Sequence, residues 1–582
     1  MAGAATPKPA ASAATSDGYS RTERKIQPHQ ATLPKIQLYC FLRRPIMLAT
    51  HTQCRASWHL VLIPFIVLLL AVPFVVKANW IALHLNNETT DPESALVQIG
   101  LWAAQSGALY PSLTETPFTP APHGPAYYEL LRILASPAPY DFQALEYKAR
   151  LLSFLMYLLV CVELSVIARR LGVPMLLCLI PAVTLFTVPA FYPWSATARP
   201  DMIALFLNVT GILCFCWHSQ ANIRNIFVAG VVAGAAVVFK QSMAAAVLAI
   251  GLTLLLHRRW KDVVVLCVSA TIVPLGVIGW LLYRREPLLA EMLIMRLFAL
   301  DALSAAHMVI DMLRQTPSYL AVISLGTCGY IVVWGKRSLR FQVLVLYCSL
   351  AWLIGVLTML NVGANENYLL EGWSAFALLA AFAVDEVRLS WEVIPGTVRL
   401  ALVLLLLLTV PWQALACVRL RHEAVDRHVL ELVHGRRVFS DSSYLSTQGT
   451  DPELLDSYTT TQLELHGRWS SLAIQDQLER GWFDLVILGY ANGTIGGEYR
   501  GYPYLDEEIK RSIEARYRPL CVLKRDPLVK DSGFVLFVPR GEDQTHENDL
   551  QIQEACMSDQ PGASLHIQLF EQLFEPPIAK EP

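Results

Sequence analysis

Charge is scarce in this sequence: only 16% of its 582 residues are Asp, Glu, Lys or Arg, where a soluble protein carries about a quarter. With 54% hydrophobic residues, an ordinary soluble chain is excluded. A net charge of −2 supplies no basic excess for nucleic acid. No CxxC pair occurs among the twelve cysteines, which argues against a thiolate zinc site. Cys161, Cys178, Cys214, Cys216, Cys267 and Cys348 lie in apolar runs, where cysteine behaves as a small hydrophobe. Cys521 and Cys556 could pair in the C-terminal part. The absence of P-loop, HExxH and GxSxG patterns leaves nucleotide hydrolysis, zinc proteolysis and serine hydrolysis without support. No internal repeat stands out, which counts against repeat-built transporters. Residues 1–57 hold no apolar run; their Ala, Ser, Thr, Pro and basic residues predict a disordered cytoplasmic arm rather than a cleaved signal peptide.

What is abundant is apolar sequence in lengths near the ~20 residues that cross a bilayer. About eleven spans are expected, at 58–77, 151–168, 172–190, 201–218, 225–239, 242–257, 263–283, 317–334, 341–360, 368–384 and 399–418. Arg21, Arg24, Lys25, Lys35, Arg43, Arg44 and Arg55 before the first span place the N-terminus inside. Alternation then puts Arg169, Arg170, Arg224, Arg258, Arg259, Lys261, Lys336, Arg337, Arg340 and Arg388 in cytoplasmic loops. The connection 284–316, with Arg284, Arg285, Arg296 and Arg314, runs against that rule.

The expected organisation is an all-α membrane domain over 58–420, with large outer loops at 78–150 and 284–316. A small α/β extracytoplasmic domain over 421–540 and a loose polar tail over 541–582 follow. In the first loop, Glu93–Ser106 and Tyr127–Ala135 read as interfacial helices separated by a proline-rich link. The second loop places Leu288, Met292, Met295 and Leu303 at helical spacing. In the soluble part, Arg437–Asp441 and Phe483–Gly489 read as strands, Gly467–Gly481 and Leu505–Tyr517 as helices, and Phe534–Val538 as a closing edge strand.

The polar groups gather at span ends on one predicted face. Asp91 and Glu93 follow the first span, either as a helix cap with a first-turn acid or as a catalytic pair. Tyr110, His123, Tyr127 and Tyr128 make an aromatic, polar patch in the same loop. Arg199 and Lys240 sit at span ends, where they either snorkel to headgroups or hold an anion. Lys240 and Gln241 follow a stretch with Gly230, Gly234 and several alanines that lets backbones approach closely. Asp201, at the mouth of an apolar span, reads as a structural partner of Arg199, an ionised carboxylate there being costly unless paired. Asn367, Tyr368 and Glu371 open the tenth expected span, with capping and substrate binding equally open for Asn367. Asp484, after Trp482-Phe483, reads as structural because a strand follows at once.

Taken in order, these motifs resemble the GT-C superfamily of integral-membrane glycosyltransferases, in its branch of ArnT-like, protein-mannosyltransferase-like and RgtA/B/C/D-like enzymes. The resemblance rests on Asp91 and Glu93, Gly107-Ala-Leu-Tyr110, Gly124-Pro-Ala-Tyr-Tyr128, Arg199-Pro-Asp201, Phe239-Lys-Gln241 and Asn367-Tyr-Leu-Leu-Glu371, across roughly residues 58 to 540. Pro92 separates the two acids where members of the family often have an adjacent acidic pair, so the choice of base between Asp91 and Glu93 stays open. The resemblance implies inverting transfer of a sugar from a polyprenyl-phosphate donor to a lipid, polysaccharide or protein acceptor on the extracytoplasmic face.

Such a reaction needs a carboxylate base for the acceptor hydroxyl and cations or N–H groups for the phosphate leaving group. Asp91 and Glu93 are the expected catalytic residues; Arg199, Asp201, Lys240, Gln241, Tyr110, His123, Tyr127, Asn367, Tyr368 and Glu371 are the expected substrate-binding residues. No cofactor is demanded, and a divalent cation near Asp91 and Asp201 is left open. The rival reading is a glycolipid transporter or flippase, which would place ionisable residues near mid-span. Here they cluster at span ends, apart from Glu163 near the inner end of the second span, which favours surface chemistry over transport.

Overall fold

A computed structural model describes residues 58–85, 92–110, 118, 120–138, 140–218, 222–286, 301–315, 317–361, 364–389, 427–452, 456–491, 494–495, 498–499, 502–503, 505–524 and 532–540. Helix α1 (Trp58–Leu83) leads to α2 (Glu93–Ser106) and α3 (Pro125–Ala135), the two helices expected in the first loop. Helix α4 (Phe142–Arg170) begins before the expected 151 because Asp141 caps it, its carboxylate accepting from the Ala144 N–H at 2.8 Å. At 29 residues it is longer than the ~20 a bilayer core requires.

The expected span 172–190 is broken into a 3₁₀ turn (Met175–Leu179), α5 (Ile180–Thr187) and the short α6 (Phe191–Ser195). Pro181 sits in the first turn of α5, where the missing N–H is not needed. Helices α7 (Asp201–Cys216), α8 (Ile223–Phe239), α9 (Ala245–Leu256) and α10 (Trp260–Arg284) follow. Helix α11 (Ala302–Gln315) lies within the second large connection, whereas Leu288, Met292 and Met295 lie outside the described residues. Then come α12 (Pro317–Trp334), α13 (Leu339–Met359), a 3₁₀ turn (Glu366–Leu369) and α14 (Leu370–Leu389).

Among the described residues, four helices are long and apolar enough to cross a membrane, or five if the bent pair Ala305–Arg314 and Ser318–Trp334 is one span. Five shorter apolar helices of 10–17 residues accompany them. The chain is an integral membrane protein; the eleventh expected span, 399–418, lies outside the described residues.

Small residues set how closely these helices pack. Gly230 and Gly234 turn α8 against α10, and a Cβ at Gly234 would collide with the Ala270 carbonyl.

After α15 (Arg427–Val433) come β1 (Val438–Ser440), α16 (Ser443–Gln448), α17 (Ser457–Leu465), α18 (Leu472–Glu479) and β2 (Leu485–Ala491). Three short strands, β3 (Thr494–Ile495), β4 (Glu498–Tyr499) and β5 (Tyr502–Pro503), precede α19 (Glu507–Arg516), β6 (Tyr517–Lys524) and β7 (Ser532–Pro539). The main sheet runs β1-β2-β7-β6, with β1 parallel to β2 and the other pairs antiparallel. The expectation of β7 as an edge strand is corrected: it lies between β2 and β6, and Phe534–Val538 are all buried. The edges of that path are β1 and β6, and Pro519 of β6 lies beside an irregularity in the pairing, as suits an edge.

This sheet does not stand apart from the helices. Tyr444, Leu445, Leu485, Ile487 and Leu536 share one buried cluster with Leu96, Val97, Tyr127 and Leu131 of the first loop. Phe142 and Tyr444 meet edge-on at 6.3 Å.

Gly234→Val should force α8 and α10 apart and cost about 1–3 kcal/mol. A lowered thermal midpoint in detergent checks this. Gly276→Ala on the same α10, with nothing within 4 Å of the added carbon, should leave the midpoint unchanged.

Candidate active site

The site is built where α7 begins. Asp201 is the first residue of α7, preceded by Arg199-Pro200, and its side chain is almost wholly buried. Its Oδ1 accepts from the Lys240 Nζ and, at 2.9 Å, from the Asn367 Nδ2. Its Oδ2 lies 3.6 Å from the Arg199 Nε. Lys240 reaches this point because α8 ends at Phe239 and the chain turns extended at residue 240. Its ammonium stands 4.6 Å from the centre of the Tyr368 ring, and the Arg199 guanidinium 5.0 Å from that of Trp194. Such cation–aromatic contacts are worth more when shielded from water. Two buried cations therefore converge on one buried carboxylate, and the trio carries a net charge of +1. An arrangement of that sign favours an anion beside it.

The first loop is fastened beside this trio. The Gly124 N–H donates to the Phe239 carbonyl at 3.2 Å, one residue before Lys240. A Cβ at Gly124 would strike the Val238 carbonyl, so only glycine permits α3 to start there. His123 and Tyr127 then lie buried with rings edge-on at 6.5 Å, and Tyr110 meets Tyr128 at 5.7 Å. The His123 backbone N–H donates to the Tyr128 hydroxyl at 3.2 Å. Burial, followed by the nearby Arg199 and then Lys240, lowers the His123 pKa to about 3, Asp201 opposing them. The imidazole is neutral at physiological pH. Glu286, just past α10, accepts from the Leu109 N–H at 3.0 and 3.1 Å and holds the turn that carries Tyr110.

Glu371 lies one turn along from Asn367 and accepts from the Asn208 Nδ2, placing it deeper along α7 than Asp201. Gln241 is half-buried in the turn after Lys240. Asp91 lies outside the described residues.

Glu93 is held in a buried ion-pair network. Its Oε1 and Oε2 each accept from Arg150, at 2.9 Å, and Oε1 also accepts from the Ala198 N–H. Arg150 further donates to Glu146 at 3.1 Å and to the carbonyls of Ala82 and Leu85 at 3.1 and 2.8 Å. A carboxylate whose oxygens are both held by a buried guanidinium is a poor proton acceptor. Both oxygens of Glu93 are thus engaged in holding the chain, which makes it the less favourable base of the expected pair. Arg150 and Glu146 went unread in the sequence, although an acid and a base four residues apart at the head of a span were the available signal. Asn208 and Trp194 carried no such signal.

Asp484 has the structural role expected of it, paired with Arg437 at 2.7 Å beneath Trp482. Among the described residues, no group of three or more His, Cys, Asp or Glu could hold a metal ion.

The fold is similar to that of solved structures. ArnT from Cupriavidus metallidurans, solved bound to undecaprenyl phosphate, superposes with a TM-score of 0.55 at 11% identity, over 81% of this chain and 97% of that one. Its apo state superposes with a TM-score of 0.52 at 12% identity, over the same shares of the two chains, 81% and 97%. This chain has the GT-C fold. The sequence model of the dolichyl-phosphate-mannose-protein mannosyltransferase family matches residues 127–303, a little under a third of the chain. That GT-C segment holds Tyr127, Arg199, Asp201 and Lys240. No curated protein matches the chain in sequence.

Glu93→Gln would leave Arg150 with Glu146 as its remaining ion-pair partner among those named, and breaking a buried pair in this way costs about 3–5 kcal/mol. The variant should insert poorly or melt well below the wild type. His123 predicts a pH effect of definite sign. Its folded pKa is depressed below the unfolded ~6.5, so its contribution to stability is complete above that value and fades as pH falls toward about 3. Between about pH 7 and 5 the loss should be on the order of 1–2 kcal/mol. Melting curves of wild type and His123→Asn should converge as the pH is lowered.

Proposed function

We propose that this protein transfers a sugar from a polyprenyl-phosphate donor to a lipid, glycan or protein acceptor, with inversion, on the extracytoplasmic side of the membrane. The observation that carries the reading is the buried Arg199–Asp201–Lys240 trio, with its excess positive charge beside the His123 and Tyr127 rings. The ArnT that shares the fold was solved with undecaprenyl phosphate, an anionic lipid of the class such a trio would receive.

In this reading the Asp91 carboxylate takes the proton of an acceptor hydroxyl. The oxygen attacks the anomeric carbon from the face opposite the lipid phosphate. The bond between that carbon and the phosphate oxygen breaks, and the electron pair leaves with the phosphate. Arg199 and Lys240 hold the departing dianion, doing the work an acid would otherwise do. Asp201 fixes both cations in place, and Asn367 fixes Asp201. Neutral His123 contributes a polar edge without adding charge. Asp201 lies between two cations and would be a poor metal ligand, so the mechanism asks for no divalent ion.

Sidedness rests on the distribution of Lys and Arg between alternate loops. Cys521 is disulfide-bonded, in keeping with a compartment outside the reducing cytosol. A reporter active only outside the cytoplasm, fused after Arg540, should be active. Activity of a cytoplasm-only reporter there would remove the shared face on which the site depends.

Purified protein supplied with glycosylated undecaprenyl phosphates and envelope acceptors should release undecaprenyl phosphate, whereas a flippase would move the glycolipid intact. Asp91→Asn keeps the size and capping ability of the side chain but not its basicity. Release should fall by about 10²–10⁴-fold while lipid binding survives. If release falls less than about tenfold, Asp91 is not the base.

A further inference from the structure

The Asp201 carboxylate has two oxygens, and the residues around each include a polar group that the protein leaves incomplete. On the Oδ1 side, with Lys240, stands Asn367, whose Nδ2 donates to that oxygen at 2.9 Å. On the Oδ2 side, the Arg199 Nε lies 3.6 Å away, and the Arg199 guanidinium stands 5.0 Å from the centre of the Trp194 ring. Asn367 and Trp194 are each 2% exposed. Among the described residues, the Asn367 Oδ1 and the Trp194 Nε1 are buried with no hydrogen-bond partner.

Neither group is accounted for by a local structural duty. The 3₁₀ turn Glu366–Leu369 is capped by Asn365, whose Oδ1 accepts from the Glu366 N–H at 2.8 Å, so Asn367 is not needed as a cap. Nor can the Asn367 amide be turned round. A carboxylate held between two cations only accepts, which keeps the NH2 group facing Asp201 and fixes the Oδ1 as a free acceptor. Trp194 is set by its neighbour Ser195, whose hydroxyl donates to the Asn79 Oδ1 on α1 at 2.7 Å. The indole N–H can only donate. Buried polar groups without partners are costly, and a ligand that completes them explains their retention.

The chemistry of a glycosyl phosphate tells the two apart. Its charged phosphate oxygens only accept, so they suit Arg199, Lys240 and the Trp194 N–H and cannot satisfy the Asn367 Oδ1. That oxygen needs a hydroxyl. In a sugar joined to phosphate through its anomeric carbon, the nearest hydroxyl is the one on carbon 2. Hydrogen bonds to a 2-hydroxyl strengthen in the transition state of glycosidic cleavage.

We propose that Trp194 and Asn367 orient the donor across the Arg199–Asp201–Lys240 trio, the Trp194 N–H holding the phosphate beside Arg199 and the Asn367 Oδ1 accepting from the 2-hydroxyl of the sugar. The donor is then a polyprenyl phosphate carrying a hexose or pentose with a free 2-hydroxyl. This assignment rests on the transferase reading above.

Its test uses the full-length protein in nanodiscs and three kinds of probe: bare undecaprenyl phosphate, undecaprenyl phosphate carrying mannose, glucose or arabinose, and the 2-deoxy counterparts of these. The wild type should bind at least one 2-hydroxy form about tenfold more tightly than its 2-deoxy counterpart. Asn367→Ala should abolish that difference while still binding the bare lipid. Trp194→Phe keeps a ring beside Arg199 but loses the N–H. It should bind bare and glycosylated lipids more weakly by one common factor of about tenfold, with the 2-hydroxyl preference intact and no loss of melting temperature, since an unpartnered donor is removed.

Failure of the wild type to bind bare undecaprenyl phosphate would overturn the transferase reading itself. Binding of the bare lipid with 2-hydroxy and 2-deoxy forms treated alike would overturn the orientation alone, whatever the variants do to folding. An Asn367→Ala protein that binds every lipid more weakly yet keeps the preference would reduce Asn367 to a support for Asp201 and overturn its assignment. Wild-type lipid affinity in Trp194→Phe would overturn that of Trp194.

Discussion

Everything placed near the site depends on how Arg150 is satisfied. Its guanidinium ties together four pieces of chain distant in sequence: the end of α1 through the Ala82 and Leu85 carbonyls, α2 through Glu93, its own helix through Glu146, and the approach to α7 through Glu93 and the Ala198 N–H. A buried ion pair of this kind is not a large source of net stability, because desolvation offsets the attraction. What it supplies is uniqueness. Each donor finds an acceptor only if α1, α2, α4 and the loop before α7 sit in one arrangement. Arg199 and Asp201 follow Ala198 directly, so the same arrangement fixes where the cationic trio stands.

The extra length of α4 makes this possible. A helix of 29 residues in a bilayer core that needs about 20 has roughly two turns to spare, and Glu146 and Arg150 lie in its first third. The ion pair can therefore form beside the membrane rather than within it, where its cost is lower. Helix α3 then starts against the end of α8 at Gly124, one residue from Lys240 in the chain, with His123 and Tyr127 buried. The segment from α15 to β7 shares its apolar cluster with α2 and α3. The burial of Arg199, Asp201 and Lys240 between the membrane helices excludes water, which strengthens the hold of the two cations on an anion.

Much of this was legible in the sequence, for reasons that also mark where reading stops. The interfacial helix Glu93–Ser106 was expected at its observed bounds because apolar periodicity and Pro92 agree. Asp201, Lys240, Asn367 and Tyr368 were marked as polar groups at the mouths of apolar spans, where an unpaired charge is costly, and the structure brings them together. The role of Glu93 was not legible, because its partner is 57 residues away on another helix. Hydropathy could not separate a continuous span from the broken segment at 175–195, since a 3₁₀ turn and short helices are as apolar as one long helix. Nor could it rank strands: β7 was taken for an edge because it comes last, whereas Pro519 in β6 was the better guide.

Polar pairs inside the bundle bear on whether this fold moves a substrate or reacts with it. Helix α7 presents Asp201 and Asn208 seven residues apart on one face, with Thr210 turned away from them. Through these it is joined to Lys240 at the end of α8, to Glu371 on α14, and to Glu163 on α4. Glu163 and Glu371 lie within apolar helices, as a transporter would place them, and this is more interior polarity than the sequence suggested. Yet each is held by a neutral side chain of the same central helix. Alternating access requires one group of helices to rock against another. A helix hydrogen-bonded to three neighbours along its length resists such motion. The same bonds hold Asp201 still between its two cations, and fixed charge around a leaving phosphate is what transfer chemistry needs.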